Sequence, residues 1–191
     1  MQEVAITPRH ASVVVVGGGQ AGLATAYYLR RAGLTPFDGF VVLDLESAPG
    51  GAWQHRWPSL GLFSPAQHSS LPGWAMPPSD EGYPTSRNVV DYLRRYEERY
   101  SLPVRRPVEV TAVRDGAPGA PRFRIDTSDG LWTADAVIST TGTWGRPFWP
   151  TLPGQRTFKG RQLHTVDYRG PGELSGQQVV VVGGGNSAAQ V

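Results

Sequence analysis

At 191 residues, with 39% hydrophobic and 18% charged side chains, the chain has enough apolar material to bury a core and falls outside the disordered class. Its length suits one domain, or one domain with the start of another. Eighteen Lys and Arg against 16 Asp and Glu leave a formal charge of +2, too small an excess to point to nucleic acid or an anionic membrane surface. Cysteine is absent, which removes disulfides, thiolate metal sites and a redox Cys-x-x-Cys pair.

Residues 1–9 carry Glu3 and Pro8 and lack the basic start and apolar run of a secretion leader, and no stretch is apolar for the length of a bilayer span. A cytoplasmic location is the default expectation. Residues 12–16, Ser-Val-Val-Val-Val, are a short β-branched run without polar alternation, the pattern of a strand buried on both faces of a parallel sheet. The run enters Gly17-Gly18-Gly19-Gln20-Ala21-Gly22. Residues 21–32 then supply a helix in which Leu23, Ala26, Tyr27 and Arg30 fall at helical spacing, with Gly33 at its carboxyl-terminal cap. In such a strand-turn-helix unit the first glycine permits a tight turn and the second lets a pyrophosphate approach the backbone. The third packs helix on strand, and the helix amino terminus draws phosphate charge. Residues 40–45 are the next strand. Asp44, near its end, follows Gly22 by 22 positions, close to the roughly 20 expected of an acid that binds a ribose hydroxyl; Glu46 is the competing candidate. A glycine-rich turn without a ligand is the alternative, against which the strand, the helix and the acid all weigh.

Residues 50–84 cluster Pro, Gly and Trp with no sustained period and read as a long, functional loop region. Thr85 or Ser86 caps the following helix, whose apolar stripe is Val89, Leu93, Tyr96 and Tyr100 and which Pro103 ends; Arg94, Arg95, Glu97, Glu98 and Arg99 read as a solvated face. Residues 108–113, 123–127 and 131–133 are short strands with turns at Asp115-Gly116 and Asp129-Gly130. Residues 136–140 return as a buried strand ending at Thr141-Gly142, and 145–154, with three prolines, form a hinge or linker. A second valine run, residues 179–182, enters Gly183-Gly184-Gly185-Asn186-Ser187-Ala188 and stops at Val191, before its helix can form. Two such turns suggest an electron path between two nucleotides. His10, His55 and His68 are scattered without a carboxylate cluster, so no metal site is expected.

These blocks, in their order, resemble the amino-terminal part of flavin-dependent monooxygenases with two dinucleotide-binding domains, the group of flavin-containing, N-hydroxylating and Baeyer-Villiger monooxygenases. Residues 17–22 match the FAD turn of that group, and Asp44 with Gly50, Gly51 and Trp53 matches its acid and Gly-Gly-x-Trp segment. Thr141-Gly142 with Pro147, Pro150 and Gly154 resembles its interdomain crossing. Phe158, Gly160, His164 and Tyr168 match its FxGxxxHxxx signature with an aromatic end, and Gly183, Gly185, Asn186, Ser187 and Ala188 match the start of its NADPH domain. The closing Tyr168 favours the flavin-containing and N-hydroxylating branches.

The resemblance implies an α/β chain: a Rossmann-like FAD-binding domain with a small β-meander over residues 1–150, an interdomain linker over 151–175, and the incomplete start of a second Rossmann-like, NADPH-binding domain over 176–191. It implies FAD held by Gly17, Gly19, Gln20, Ala21, Gly22, Asp44 or Glu46, Gly51, Trp53, Val110, Thr141 and Gly142. NADPH would lie at Gly183, Gly185, Asn186 and Ser187, with His164 and Ser64 as catalytic candidates. In the implied reaction NADPH reduces FAD, the flavin captures oxygen as a C4a-hydroperoxide, and oxygen passes to a small organic substrate. Trp53, Trp57, Leu62, Phe63 and Trp74 then line a water-poor pocket, or pack as ordinary loop core. Where the flavin-containing branch carries Asn in an Asn-x-Ser/Thr-like segment, this chain reads Leu62-Phe63-Ser64-Pro65. Ser64 is the candidate substitute. Without a stabilising group the implied activity becomes that of an NADPH-dependent reductase or oxidase that makes hydrogen peroxide; a non-catalytic FAD-binding fragment is the third reading. Flavin-linked disulfide reductases are set aside for want of a Cys-x-x-Cys pair. The family continues past Val191, so residues 179–182 are expected to form an unsupported strand with exposed edges, and flavin retention is expected to be weakened.

Overall fold

A computed structural model describes residues 7–80 and 82–191; most of the segment read for a leader, residues 1–6, lies outside that range. In chain order the elements are β1 (Arg9–His10), β2 (Val13–Val16), α1 (Gln20–Arg31), β3 (Phe40–Leu43), α2 (Ser86–Arg99), β4 (Val104–Arg105), β5 (Val110–Asp115), β6 (Phe123–Thr127), β7 (Gly130–Ala134), β8 (Ala136–Ser139) and α3 (Asn186–Gln190). Short 3-10 turns punctuate the loops.

Four strands form a parallel sheet in the order β4-β3-β2-β8. Register is strict: Val13 faces Phe40 on one side and Ala136 on the other, and Val16 faces Leu43 and Ser139. The carboxyl ends of β2, β3 and β8 therefore finish level, which brings Gly17, Asp44 and Thr140 together. Strand alternation sends successive valines to opposite cores. Val15, Phe40 and Val42 pack with Leu23 and Ala26 of α1 and with Val89, Tyr92, Leu93 and Tyr96 of α2. Val14, Val41 and Leu43 pack instead on Val108, Ile125, Trp132 and Ala134. That second layer is the sheet β1-β7-β6-β5, antiparallel except where β1 joins β7. With a helical layer on one face and a meander on the other, both faces are covered, and this is why the runs are continuously apolar.

Helix α2 starts where Thr85 accepts a hydrogen bond from the Asn88 N–H at 3.4 Å and the Thr85 N–H donates to Asn88 Oδ1 at 2.9 Å, a reciprocal cap. Its stripe of Val89, Leu93 and Tyr96 is buried as expected, joined by Tyr92. Two tyrosine hydroxyls staple the long loop to it. Tyr96 donates to the Pro72 carbonyl at 2.6 Å; Tyr92 donates to the Trp74 carbonyl at 2.7 Å and accepts from the Leu71 N–H at 2.8 Å. Burial, with neighbouring tyrosines, pushes the Tyr96 phenol well above its usual range. Tyr92→Phe is expected to cost about 1–3 kcal/mol in chemical denaturation, since it strands one donor and one acceptor at once.

Several expectations need correction. Residues 179–182 form no strand: Val180 and Val182 are 85% and 79% exposed, and a valine run without a neighbouring strand has no partner for its backbone hydrogen bonds. The helix after the second glycine turn does form, as the short α3, and Gln190 Nε2 anchors it to the Gly61 carbonyl at 2.7 Å. Strand β4 went unforeseen, and β5 begins at Val110 instead of 108. Arg30, which falls at helical spacing in α1 with Leu23 and Ala26, is exposed and donates to the Ser101 carbonyl at 2.9 Å. Among the described residues no helix is long and apolar enough to cross a membrane, and no cluster of three or more His, Cys, Asp and Glu could hold a metal ion.

Candidate dinucleotide-binding site

Gly17, Gly18 and Gly22 of the first turn each have a separate steric reason. Gly17 turns the chain at φ 108°, and a Cβ there would lie 2.6 Å from the Thr140 carbonyl oxygen. Thr140 Oγ1 also donates towards the carbonyls of Val16 and Gly17, both at 2.9 Å, and so fixes the turn to the end of β8. A Cβ on Gly22 would fall 1.9 Å from the Gly17 carbonyl oxygen, so only glycine lets α1 begin this close to β2. Around Gly19 the situation reverses: nothing lies within 4 Å of its would-be Cβ. Gly19 caps α1 without a side-chain hydrogen bond, and the first turn of the helix carries no acid. The positive end of the helix dipole and its free N–H groups thus face open space. This cradle fits a diphosphate.

A second segment closes on the turn. Gly50, at φ 124°, leads into the 3-10 turn Gly51–His55, and a Cβ on Gly51 would come within 2.9 Å of Gly19 Cα. Trp53 Nε1 donates to Gln20 Oε1 at 3.4 Å. Asp44, 4% exposed, lies against the turn: its Oδ2 sits 2.5 Å from where Gly18 would carry a Cβ. Glu46 turns away and pairs with His55 Nε2 at 2.8 Å, and that imidazole stacks on Trp144. Arg56 lies 4.3 Å over the same indole, and burial pushes its guanidinium below the usual value. Of the two acids, Asp44 is the one at the glycine turn.

Sequence reasoning missed what holds Asp44. Arg106 Nε donates to Asp44 Oδ2 at 2.7 Å while its two terminal nitrogens fork onto Glu97 at 2.8 and 2.7 Å. Burial works against the Arg106 charge, but the hydrogen bonds and charges of Glu97 and then Asp44 outweigh it and raise the guanidinium above its ordinary value. Glu97, read as part of a solvated face, is therefore half of a buried clamp. Thr140 was also missed as a site residue: it was read as the last residue of the strand, whereas β8 ends at Ser139 and the Thr140 hydroxyl bonds the turn.

The remaining candidates are more dispersed. Val110 opens β5 against the meander core, and Thr141 and Gly142 are exposed just past β8. Ser64 Oγ is hydrogen-bonded to Ser69 Oγ at 2.8 Å. His164 Nδ1 accepts from the Val166 N–H at 3.2 Å, with its ring 5.8 Å from Trp149. Tyr168 is buried edge-on against Trp57 at 4.9 Å, beside Leu60. The five apolar side chains expected around one pocket are divided: Trp57 joins this cluster, Trp53, Leu62 and Trp74 flank the α1–α2 core, and Phe63 is exposed. Gly183, Gly185, Asn186 and Ser187 are exposed at the start of α3, Gly185 being its N-cap.

A parallel sheet that ends level at a glycine turn, with helices on one face and a meander on the other, defines a Rossmann-type α/β protein. A family model described as pyridine nucleotide-disulphide oxidoreductase matches residues 14–191, and the chain belongs to that family. These 191 residues nevertheless contain no cysteine, so they hold no thiol pair of the kind the description implies. An uncharacterized CzcO-like oxidoreductase of Geobacillus kaustophilus is 36% identical over 94% of this chain and 49% of its own length. A Baeyer-Villiger monooxygenase of Streptomyces coelicolor is 32% identical over 95% and 35%. Among solved structures, a flavin-containing monooxygenase from Stenotrophomonas maltophilia superposes with a TM-score of 0.87 at 49% identity, over 95% of this chain and 53% of that one. The expected likeness to flavin-dependent monooxygenases is borne out. The chain spans about half the length of the curated relatives named first among its matches.

Proposed function

We propose that this chain is part of an FAD- and NADPH-dependent monooxygenase that transfers oxygen to a small organic substrate in the cytoplasm. Residues 1–150 would be the FAD-binding domain, 151–175 the linker and 176–191 the start of the NADPH-binding domain. One observation carries the reading: the space before Gly19 is open while Gly17, Gly18 and Gly22 are closed by neighbouring atoms, in a chain 49% identical to a flavin-containing monooxygenase.

The N–H groups at the head of α1, with Gly17, Gly19, Gln20, Ala21 and Gly22, would bind the diphosphate of FAD. Asp44 would accept from a ribose hydroxyl, with Gly51 and Trp53 beside the dinucleotide and Val110, Thr141 and Gly142 at its margins. Gly183, Gly185, Asn186 and Ser187 would receive NADPH. When bound, FAD supplies hydride acceptance from NADPH and activation of oxygen; the protein supplies binding, orientation and exclusion of water. His164 and Ser64 are the candidates for holding protons near the reacting groups.

Coupling tests the proposal. With the full-length protein, FAD, NADPH and a panel of amines, sulfides and ketones, NADPH consumption should be matched by oxygenated product for at least one compound. Hydrogen peroxide equal to NADPH consumed under every condition identifies a reductase or oxidase instead, the reading that Leu62-Phe63-Ser64-Pro65 favours because the Ser64 hydroxyl is already engaged by Ser69.

A further inference from the structure

We infer that the outer edge of the parallel sheet holds a second binding site, for a small carboxylate monoanion with an apolar group, centred on Arg105. A cavity of about 630 Å³ runs along β4, walled by Phe37, Val104, Arg105, Pro107 and Val108, with Asp129 at its border. Consecutive side chains at the end of β4 diverge. Arg106 turns to Asp44 and Glu97, whereas the Arg105 guanidinium carbon lies 5.6 Å from the ring centres of both Phe37 and Trp132.

Three observations meet there. Arg105 Nε is buried without an acceptor, and among the described residues the other side-chain atom in that condition is the indole Nε1 of Trp132, which packs on the same guanidinium. Buried N–H groups are nearly always paired, so two exceptions on one stacked Arg-Trp pair, whose arginine lines the cavity, mark a place where an acceptor belongs. Phe37, a bulky residue, is held at φ 70°, with its N–H donating to the Phe40 carbonyl at 2.8 Å and its ring 47% exposed at the cavity wall. A left-handed aromatic residue is strained, and such strain gathers at ligand clamps.

The charges select the ligand. Arg106 is neutralised by two carboxylates and Asp129 is paired with Arg9, which leaves Arg105, among the described residues, as the one cation at the cavity without an ion pair. One positive charge suits a monoanion, and the planar guanidinium fork matches a carboxylate. A single unpaired cation leaves the second charge of a dianion such as phosphate uncompensated. Phe37, Val104, Pro107 and Val108 offer apolar cover to the rest of the molecule.

Benzoate is the probe. In calorimetric titration of the purified full-length protein it should bind at one site and lose at least about tenfold in affinity in Arg105→Gln, the loss expected when a charge-assisted pair is removed. Benzamide and inorganic phosphate should not compete. Phe37→Gly removes the ring and relieves the left-handed backbone, so it should weaken benzoate while leaving the melting temperature unchanged or higher; a purely structural Phe37 would lower the melting temperature and leave benzoate alone. If Arg105→Gln does not fold, Phe37→Gly decides. Absence of benzoate binding, or equal affinity in the wild type and in the variants, overturns the site and leaves a buried water as the partner of Arg105 Nε.

Discussion

Gly22→Ala is expected to lower the melting temperature of the apoprotein by roughly 6–12 °C, whereas Gly19→Ala, three residues earlier, is expected to move it by no more than about 2–4 °C and yet to lose flavin. The added methyl at Gly22 would sit 1.9 Å from the Gly17 carbonyl oxygen, backbone against backbone, so helix α1 must shift as a body. Overpacking of that kind costs about 3 kcal/mol at the upper end of its usual range, and in a chain of this size each kcal/mol is worth about 2–4 °C. At Gly19 the same methyl meets nothing within 4 Å, so its cost is that of a poorer N-cap, up to about 1 kcal/mol. It would occupy the approach of the diphosphate and block hydrogen bonds to charged oxygens, each worth about 1.5–3 kcal/mol, or about tenfold to a hundredfold in affinity. Thermal melts of the apoprotein and FAD titration by flavin fluorescence separate the two effects. Unchanged FAD affinity in Gly19→Ala would remove the diphosphate from this turn.

Legibility followed range of interaction. The strands β2 and β3 and the glycine turn could be read directly, because burial on both faces leaves a continuous apolar run and because the turn depends on residues a few positions apart; β8 was placed correctly, but none of its four residues is buried, against the expectation of a buried strand. The capped helix α2 was readable for the same local reason. Strand β4 was not: two residues, Val104 and Arg105, carry no period, and they are a strand because β3 and the residue after it pair with them, the Val42 and Asp44 N–H groups donating to the Pro103 and Arg105 carbonyls at 2.9 and 3.0 Å. Residues 179–182 show the converse, since a β-branched run states a preference that only a neighbouring strand can realise. The acid at position 44 was foreseen from spacing, but its partner Arg106 lies 62 residues away, just past the two-residue β4, and Glu97, which completes the clamp, sits among mixed charges of α2 that look like any solvated surface. Choosing Asp44 over Glu46 required knowing that His55 occupies the latter.

That hidden partner yields the other large effect. Arg106→Met is expected to destabilise the protein by about 3–5 kcal/mol, the cost of breaking a buried ion pair from one side. The substitution leaves the Asp44 and Glu97 carboxylates, 6% and 17% exposed as side chains, facing a methionine with no cation to share. Glu97→Gln should cost less, because Arg106 keeps its bond to Asp44. The double variant Arg106→Met/Glu97→Met should be more stable than Arg106→Met alone, since one of the two stranded charges is gone. Arg106→Lys should recover only part of the loss: a single ammonium cannot replace an Nε bond to one carboxylate and a two-pronged fork to another. Equilibrium denaturation of the four variants measures the network, and FAD titration asks what it is for. If the clamp exists to present Asp44 to a ribose, flavin affinity should fall in Arg106→Lys, which folds, and in Asp44→Asn, while Glu97→Gln stays near the wild type. Stability of Arg106→Met within about 1 kcal/mol of wild type would show that water reaches these groups and that the clamp holds nothing in place, because an exposed ion pair contributes only that much.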